Sequence, residues 1–224
     1  MQVKYSVSKE NYLKTVYHLE HNSEAVSTNA LAEALQTRPA SVTDMLKKLT
    51  AQNLLQYEKY HGVKLTAEGR KVAVQIIRKH RLWEYFLVKK LQFGWEEVHE
   101  IAEELEHISS KKLIDRLDAF LEFPQTDPHG DPIPDSSGKV PSVHLLTVAN
   151  LPVNTVAEIS SIGNQSADMM DLLKHKNIRI GSNVEVIKKF SFDHSLEISS
   201  GNQPAFTISA ILANLLFVKY DEQK

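Results

Sequence analysis

The stretch STNALAEALQTRPASVTDMLKKL, residues 27–49, decides the fold of the first part of the chain. Ser27 and Thr28 can cap a first helix, because their hydroxyls accept hydrogen bonds from the amides of a first helical turn. A tight turn over residues 36–38 follows, and Pro39 then takes a favoured first-turn position in a second helix. Two short helices joined by a tight turn form a helix-turn-helix.

The sequence on either side extends this motif. A helix over residues 9–21 precedes it, with apolar residues at helical spacing. The residues that follow it predict two short strands around a tip at His61, the shape of a wing. Thr66 then begins a long helix. We therefore predict that residues 1–70 form a winged helix-turn-helix.

The exposed face of the helix that begins at Pro39 carries side chains that can meet phosphates and base edges in a DNA major groove. Asp44 is the awkward member, because phosphate repels a carboxylate unless it accepts from a cytosine amino group. An ordinary solvated helix face has a similar composition, so the turn and the wing are what favour DNA binding. The predicted DNA contacts are Arg38, Pro39, Ala40, Ser41, Thr43, Asp44, Lys47, Lys48, Tyr60 and His61.

Composition limits the possible functions. The length of 224 residues is enough for two globular domains. With 42% hydrophobic and 24% charged residues, the composition argues against wholesale disorder. The net charge of -2 argues against indiscriminate coating of nucleic acid, which requires a strongly basic protein. Because there is no cysteine, disulfides and thiolate metal sites are excluded, and a metal must use imidazole, carboxylate or carbonyl ligands.

A proline-rich stretch divides the chain. Five of the eight prolines lie between residues 124 and 141, together with two glycines, so no helix or central strand can run through it. Upstream, apolar residues mostly recur at helical spacing, whereas downstream short segments alternate as strands do. The second part is therefore predicted to be a small β-rich module.

Neither end of the chain predicts membrane targeting. The first ten residues lack an apolar signal core, and the longest apolar stretch, residues 208–218, is too short to span a bilayer. We expect a cytoplasmic protein with no membrane partner.

The long helix from Thr66 to about Leu91 carries His80 and Glu84 four residues apart. Both therefore project from the same face, one turn apart, and can hold two corners of a metal site. A pair at this spacing is also common on solvated helices, so it indicates little by itself.

The next predicted helix, VHEIAEELEH at residues 98–107, carries four possible metal ligands within an arc of roughly 100 degrees. They are His99, Glu103, Glu106 and His107. Two carboxylates and two imidazoles are costly to crowd and partly bury, because like charges raise carboxyl pKa values and desolvation is expensive. A divalent cation would resolve the conflict, and a solvated acidic stripe is the alternative interpretation.

Three segments, RKHRLWE at residues 78–84, VHEIAEELEH at 98–107 and PHGDPIP at 128–134, occur in this order. Together they resemble the diphtheria toxin repressor family of metal-dependent regulators, including its manganese-responsive branch. The resemblance implies an α+β protein with a C-terminal SH3-like β-barrel of the kind also seen in ferrous iron transport protein A. The implied parts are a winged helix-turn-helix (1–70), a helical dimerisation and metal-binding domain (71–123), a Pro-rich linker (124–141) and the SH3-like domain (142–224).

The resemblance also implies two metal sites. The ligands of the first are His80, Glu84 and His99, completed from the SH3-like domain by Gln165 and Asp168. Those of the second are Glu103, Glu106, His107 and a residue of the first helix, which is Asn11 in this chain.

Two positions bear on the metal. The iron branch of the family has Met and the manganese branch has Asp where this chain has Asn11, whose amide oxygen can ligate a hard cation but brings no charge. Glu103 stands where the iron branch has Cys, which favours manganese over softer metals. We expect Mn²⁺ as the cofactor, with Fe²⁺ as the second choice.

The predicted function is a metal-dependent transcriptional repressor of metal-ion homeostasis, a homodimer that binds a double-stranded DNA operator. Two recognition helices must enter successive major grooves about 34 to 36 Å apart, and a bound metal would fix that spacing before DNA is met. The residues predicted for the two-fold interface, or alternatively for the core of a single chain, are Ile101, Leu105, Leu113, Ile114, Leu117 and Phe120.

Two other functions are kept as alternatives. One is a winged-helix regulator that senses an organic ligand, and the other is a metallohydrolase that uses a metal-activated water. The sequence contains no His-Glu-x-x-His motif and no nucleophile elbow. We therefore expect no enzyme activity and no small organic substrate.

Overall fold

The computed structural model describes residues 5–20, 25–58, 62–141, 146–163, 166–201 and 203–219. The chain divides into two compact units. The first unit contains residues 1–83, 102–123 and 134–140, and the second contains residues 84–101, 124–133 and 141–224. No helix in the described ranges is both long and apolar enough to cross a bilayer.

The first unit begins with the predicted helix-turn-helix and wing. Its elements are α1 (Val7–Glu20), α2 (Thr28–Ala34), α3 (Pro39–Ala51), β1 (Leu55–Glu58) and β2 (Gly62–Leu65). The expected cap is present, since the Ser27 hydroxyl accepts from the amide of Ala30 at 3.1 Å. Pro39 begins α3, and β1 pairs antiparallel with β2. The tip of the wing lies outside the described residues.

A continuous apolar core fixes the orientation of α3. Val42, Leu46 and Leu49 recur at helical spacing and are buried against residues of α1 and α2. The opposite face of α3 is exposed to solvent. The core therefore positions the face that carries the predicted DNA contacts.

Three further helices follow: α4 (Ala67–Leu91), α5 (Val98–Leu105) and α6 (Lys111–Phe120). The predicted start of α4 is confirmed, because Thr66 Oγ1 accepts from the amide of Gly69 at 3.0 Å. Helix α5 is shorter than expected. The Glu106 amide still donates to the Ala102 carbonyl at 2.8 Å, but His107 lies in the turn that follows. The chain must leave the helix there because Ser110 already caps α6.

The residues predicted for a two-fold interface have different environments. Ile114 and Leu117 are buried within the chain, which is the alternative role considered for them. Ile101 and Leu105 are half-buried. Leu113 and Phe120, on α6, are 42% and 60% exposed.

The second unit contains a six-stranded antiparallel sheet in the order β3-β8-β4-β5-β6-β7. Its elements are β3 (Leu146–Thr147), β4 (Val156–Ile162), α7 (Ala167–His175), β5 (Asn183–Lys189), β6 (Leu196–Ser200), β7 (Phe206–Ile208), α8 (Ala210–Leu215) and β8 (Leu216–Lys219). Alternate residues such as Leu196 and Ile198 enter a core shared with Met170 and Leu173 of α7. The sheet is consistent with the predicted SH3-like domain.

Candidate metal centre

A cluster of charged side chains surrounds Glu106 in the first unit. Glu106 is fully buried, and its Oε2 lies 2.7 Å from Nδ1 of His80. The ammonium of Lys14 donates to both Glu106 oxygens, at 2.7 and 2.9 Å, and to Oε1 of Glu103 at 2.5 Å. Burial alone would raise the pKa of Glu106, but the His80 contact and the charge of Lys14 outweigh burial and hold that pKa below its usual value.

Helix α1 brings more polar groups to the same unit. Glu10 and Asn11 lie four and three residues before Lys14, so each shares a face of α1 with Lys14. Glu10 Oε2 contacts His107 Nδ1 at 2.6 Å, and both residues line a cavity of about 630 Å³. The Oδ1 atom of Asn11 is buried and has no hydrogen-bond partner in the described part of the chain. The lone pairs of such an oxygen can be donated to a metal cation.

A second cluster, in the second unit, is formed by Glu84, Asp127 and His129. One ligand atom from each of these residues lies within 4.8 Å of the others. Their exposures are only 0%, 5% and 1%. His99 joins the edge of this cluster, with Nδ1 3.3 Å from Oε1 of Glu84. Two carboxylates and an imidazole thus converge in a buried place.

The imidazole of His129 is oriented by the backbone. Its Nε2 donates to the carbonyl of Trp95 at 2.8 Å, so Nδ1 carries the lone pair of the neutral ring and lies 3.6 Å from Oε2 of Glu84. Burial lowers the pKa of His129, but the carboxylates of Glu84 and Asp127 outweigh burial and raise it. A divalent ion could supply the positive charge that these carboxylates favour.

The loop that carries Asp127 and His129 is held by hydrogen bonds to Asp127 and by a close contact with β4. Oδ1 of Asp127 accepts from the amides of His129 at 2.8 Å and Asp131 at 3.0 Å. Gly130 has φ +84° and passes so close to β4 that an added Cβ would lie 1.8 Å from the carbonyl oxygen of Ser160. The close approach allows the Ile162 amide to donate to the His129 carbonyl at 3.1 Å.

We predict that Gly130→Ala lowers the free energy of unfolding by more than about 2 kcal/mol, because backbone strain and a clash with Ser160 add together. Gly181→Ala is the matched control, since Gly181 has φ +82° and nothing within 4 Å of its added Cβ. That variant should lose only about 1 kcal/mol. Urea denaturation of both variants measures the difference, and equal losses would show that the close approach is unimportant.

The structure distributes the predicted ligands as follows. His80 contacts Glu106, Lys14 joins Glu106 to Glu103, and Glu84 contacts His99. Asp168 is exposed on the first turn of α7 and does not belong to the cluster of Glu84, Asp127 and His129. Gln165 lies outside the described residues.

The predicted DNA-contacting residues of α3 and its cap form an exposed surface. Asp44 lies 3.6 Å from Lys47, so a lysine already accompanies the awkward carboxylate. Tyr60 and His61 lie outside the described residues. The exposed predicted contacts are Arg38, Pro39, Ala40, Ser41, Thr43, Asp44, Lys47 and Lys48.

Sequence reasoning did not identify Asp127, His129 or Lys14 as part of these clusters. His129 lies in the PHGDPIP segment and Asp127 directly precedes it. The prolines and glycine of this segment predict a turn, and a carboxylate close to an imidazole in such a turn was the signal that could have identified them. Lys14 gave a weaker signal, since a lysine four residues after a glutamate usually indicates a solvated helix face.

The donor set suits a hard divalent ion. Carboxylate, imidazole and amide oxygen donors, with no sulfur, are the ligands on which Mn²⁺ and Fe²⁺ are held in proteins. The buried Oδ1 of Asn11 and the Nδ1 of His129 are both placed to donate to an ion. The residues present therefore fit the metal that the sequence predicts.

A winged helix-turn-helix with buried carboxylate and imidazole clusters defines a class, DNA-binding proteins that bind metal ions. Residues 4–63 match the family described as iron dependent repressor, N-terminal DNA binding domain, and residues 66–135 match its metal binding and dimerisation domain. The chain belongs to this family, the diphtheria toxin repressor family, as the sequence predicted.

Several relatives are similar. The iron-dependent repressor IdeR of Mycobacterium leprae is 36% identical over 125 residues, which cover 56% of this chain and 54% of IdeR. The chain thus spans about half the length of that relative. The transcriptional regulator MntR of Geobacillus kaustophilus is 35% identical over 54% of this chain and 84% of MntR. The solved structure of a manganese-dependent transcriptional repressor in complex with manganese has a TM-score of 0.84 at 30% identity, covering 94% of this chain and 98% of its own.

Proposed function

We propose that this protein is a cytoplasmic, metal-dependent transcriptional repressor of metal-ion homeostasis, with Mn²⁺ as the preferred co-repressor and Fe²⁺ as the second choice. The observation that carries the proposal is the pair of buried carboxylate and imidazole clusters in a chain that also presents an exposed α3 face. Family membership supports it, because the relatives named above are iron-dependent and manganese-dependent regulators.

The proposed ligands divide into two sites. In the first unit, Glu103, Glu106 and His107 hold one ion, with Asn11 supplying an uncharged oxygen and His80 contacting Glu106. In the second unit, Glu84, Asp127 and His129 hold another, with His99 beside Glu84. Gln165 and Asp168 remain proposed ligands of the ion held by Glu84, on the family resemblance alone. When bound, the ions supply the positive charge that keeps these side chains in a single arrangement.

The proposed operator contact is the α3 face. Lys48→Ala should weaken binding to all DNA sequences about equally and reduce the slope of log K against log salt by about 1, because Lys48 would neutralise a phosphate. Lys219→Ala is the control, since Lys219 is also exposed but lies on β8. Fluorescence anisotropy at several salt concentrations measures the slope. A slope unchanged by Lys48→Ala would remove Lys48 from the contact.

The homodimer is also a proposal. Leu113 and Phe120 leave apolar surface exposed on α6, within the residues that match the metal binding and dimerisation domain. A second copy that covers them would give two recognition helices for successive major grooves. Exposed apolar surface of this kind is common at protein–protein interfaces.

Calorimetry with Mn²⁺ separates the proposal from its alternatives. A regulator of an organic ligand should show no tight, stoichiometric uptake of Mn²⁺, whereas we expect saturable uptake that Glu84→Gln and Glu106→Gln each reduce. A metallohydrolase should turn over generic ester or phosphoester substrates once Mn²⁺ or Zn²⁺ is added. Turnover would overturn the assignment as a non-catalytic regulator.

A further inference from the structure

Lys14 is a buried lysine on α1, only 9% exposed. An ammonium ion removed from water is costly unless it is paired and hydrogen-bonded. Three carboxylate oxygens meet this need, Oε1 of Glu103 at 2.5 Å and the two oxygens of Glu106 at 2.7 and 2.9 Å. Three acceptors match the three N–H donors of an ammonium group.

The same oxygens are those that the proposed function assigns to a metal ion. A hard divalent ion binds carboxylate oxygens at roughly 2.0 to 2.6 Å, which is shorter than most hydrogen bonds. An ion bound to the same oxygens would be a close neighbour of Nζ of Lys14, and neighbouring cations repel each other strongly where little water screens them. Lys14 and a metal ion therefore cannot use these oxygens together.

We propose that Lys14 is an internal competitor of the metal: its ammonium offsets part of the charge of Glu103 and Glu106 in the metal-free chain and must withdraw before a divalent ion binds them. The inference rests on the proposed metal-binding function. It makes Lys14 a residue that sets the free metal concentration at which this site fills.

Helix α1 keeps a ligand for the ion after Lys14 withdraws. Asn11 lies three residues earlier on the same face of α1, and its Oδ1 is buried without a hydrogen-bond partner in the described ranges. Filling of the site thus exchanges a charged contact of α1 for a neutral one. Because Asn11 is uncharged, it adds no third carboxylate to those of Glu103 and Glu106 in the metal-free cluster, which suits a single ammonium.

The first test is calorimetry of full-length Lys14→Met with Mn²⁺ alone. Methionine preserves much of the length and removes the charge, so we expect the Mn²⁺ affinity of this site to rise at least about tenfold. Lys9→Met removes the same charge from the exposed part of α1, where Lys9 bonds Gln52, and should leave the affinity unchanged. In a Glu106→Gln background, the effect of Lys14→Met should largely disappear. An unchanged or lower affinity in folded Lys14→Met would overturn the proposal.

The second test needs no substitution. Lysine-reactive labelling of the wild-type chain, read by mass spectrometry, should be slow at Lys14 without metal and markedly faster with saturating Mn²⁺, while Lys9 keeps its rate. A Lys14 rate that Mn²⁺ does not change would overturn the proposal even if Lys14→Met fails to fold. Calorimetry of the wild type beside Glu106→Gln distinguishes the two ideas. If Glu106→Gln removes no Mn²⁺ uptake, both are overturned, whereas normal Glu106-dependent uptake with an unchanged labelling rate at Lys14 overturns the competitor alone.

Discussion

Glu106→Gln is expected to reduce Mn²⁺-dependent operator binding by at least about 100-fold. Substitution of a residue that only supports a metal ligand can already lower metal affinity by about 100-fold, and Glu106 is itself a proposed ligand. Glutamine has the volume of glutamate but lacks the negative charge that His80 and Lys14 contact in the metal-free chain and that a divalent ion would need. Binding to DNA is measured by anisotropy at fixed free Mn²⁺, and far-UV circular dichroism checks that the fold persists.

Glu104→Gln is the matched control for this result. Glu104 lies on α5, two residues before Glu106, and is exposed, so the same change of charge should leave Mn²⁺-dependent binding unaltered. A full Mn²⁺ response in Glu106→Gln would mean that the cluster around Glu106 is only a structural ion-pair network.

The second large effect is expected for Glu84→Gln. Glu84 is fully buried and lies within ligand distance of Asp127 and His129, so loss of its charge should weaken Mn²⁺ binding at this cluster by about 100-fold. Calorimetry should then report loss of one class of site while the class that depends on Glu106 remains. The two clusters use different side chains, and their losses should therefore be separable.

Glu100→Gln provides the control for Glu84→Gln, because Glu100 is exposed on α5 beside His99. If Glu84→Gln and Glu100→Gln bind Mn²⁺ alike, the buried cluster is not a metal site. If Glu84→Gln abolishes both classes of uptake, the two clusters are not independent.

Much of the fold follows from local sequence signals. The caps at Ser27 and Thr66 and the proline that begins α3 act within a single helical turn, so their positions are visible in the sequence. The end of α5 was predicted less well. The helical pattern continues to His107, but the cap of α6 at Ser110 leaves no room for another turn.

The candidate site was only partly predictable, for a different reason. Periodicity on a helix relates residues of that helix, and it indicated the ligands near Glu106. Asp127 and His129 come from an irregular loop, and their meeting with Glu84 depends on a tertiary contact at Gly130. The crowded carboxylates favour either a metal ion or a solvated acidic stripe, but Lys14 supplies a cation to the same oxygens, which no rule of spacing predicts.

The claim on which the account depends is that a metal ion controls DNA binding. The most direct measurement is an anisotropy titration of the protein's own promoter DNA at buffered concentrations of free Mn²⁺, followed by addition of a chelator. We expect binding to appear only as free Mn²⁺ rises and the chelator to reverse it. The same affinity for this DNA with Mn²⁺ and with chelator would contradict it.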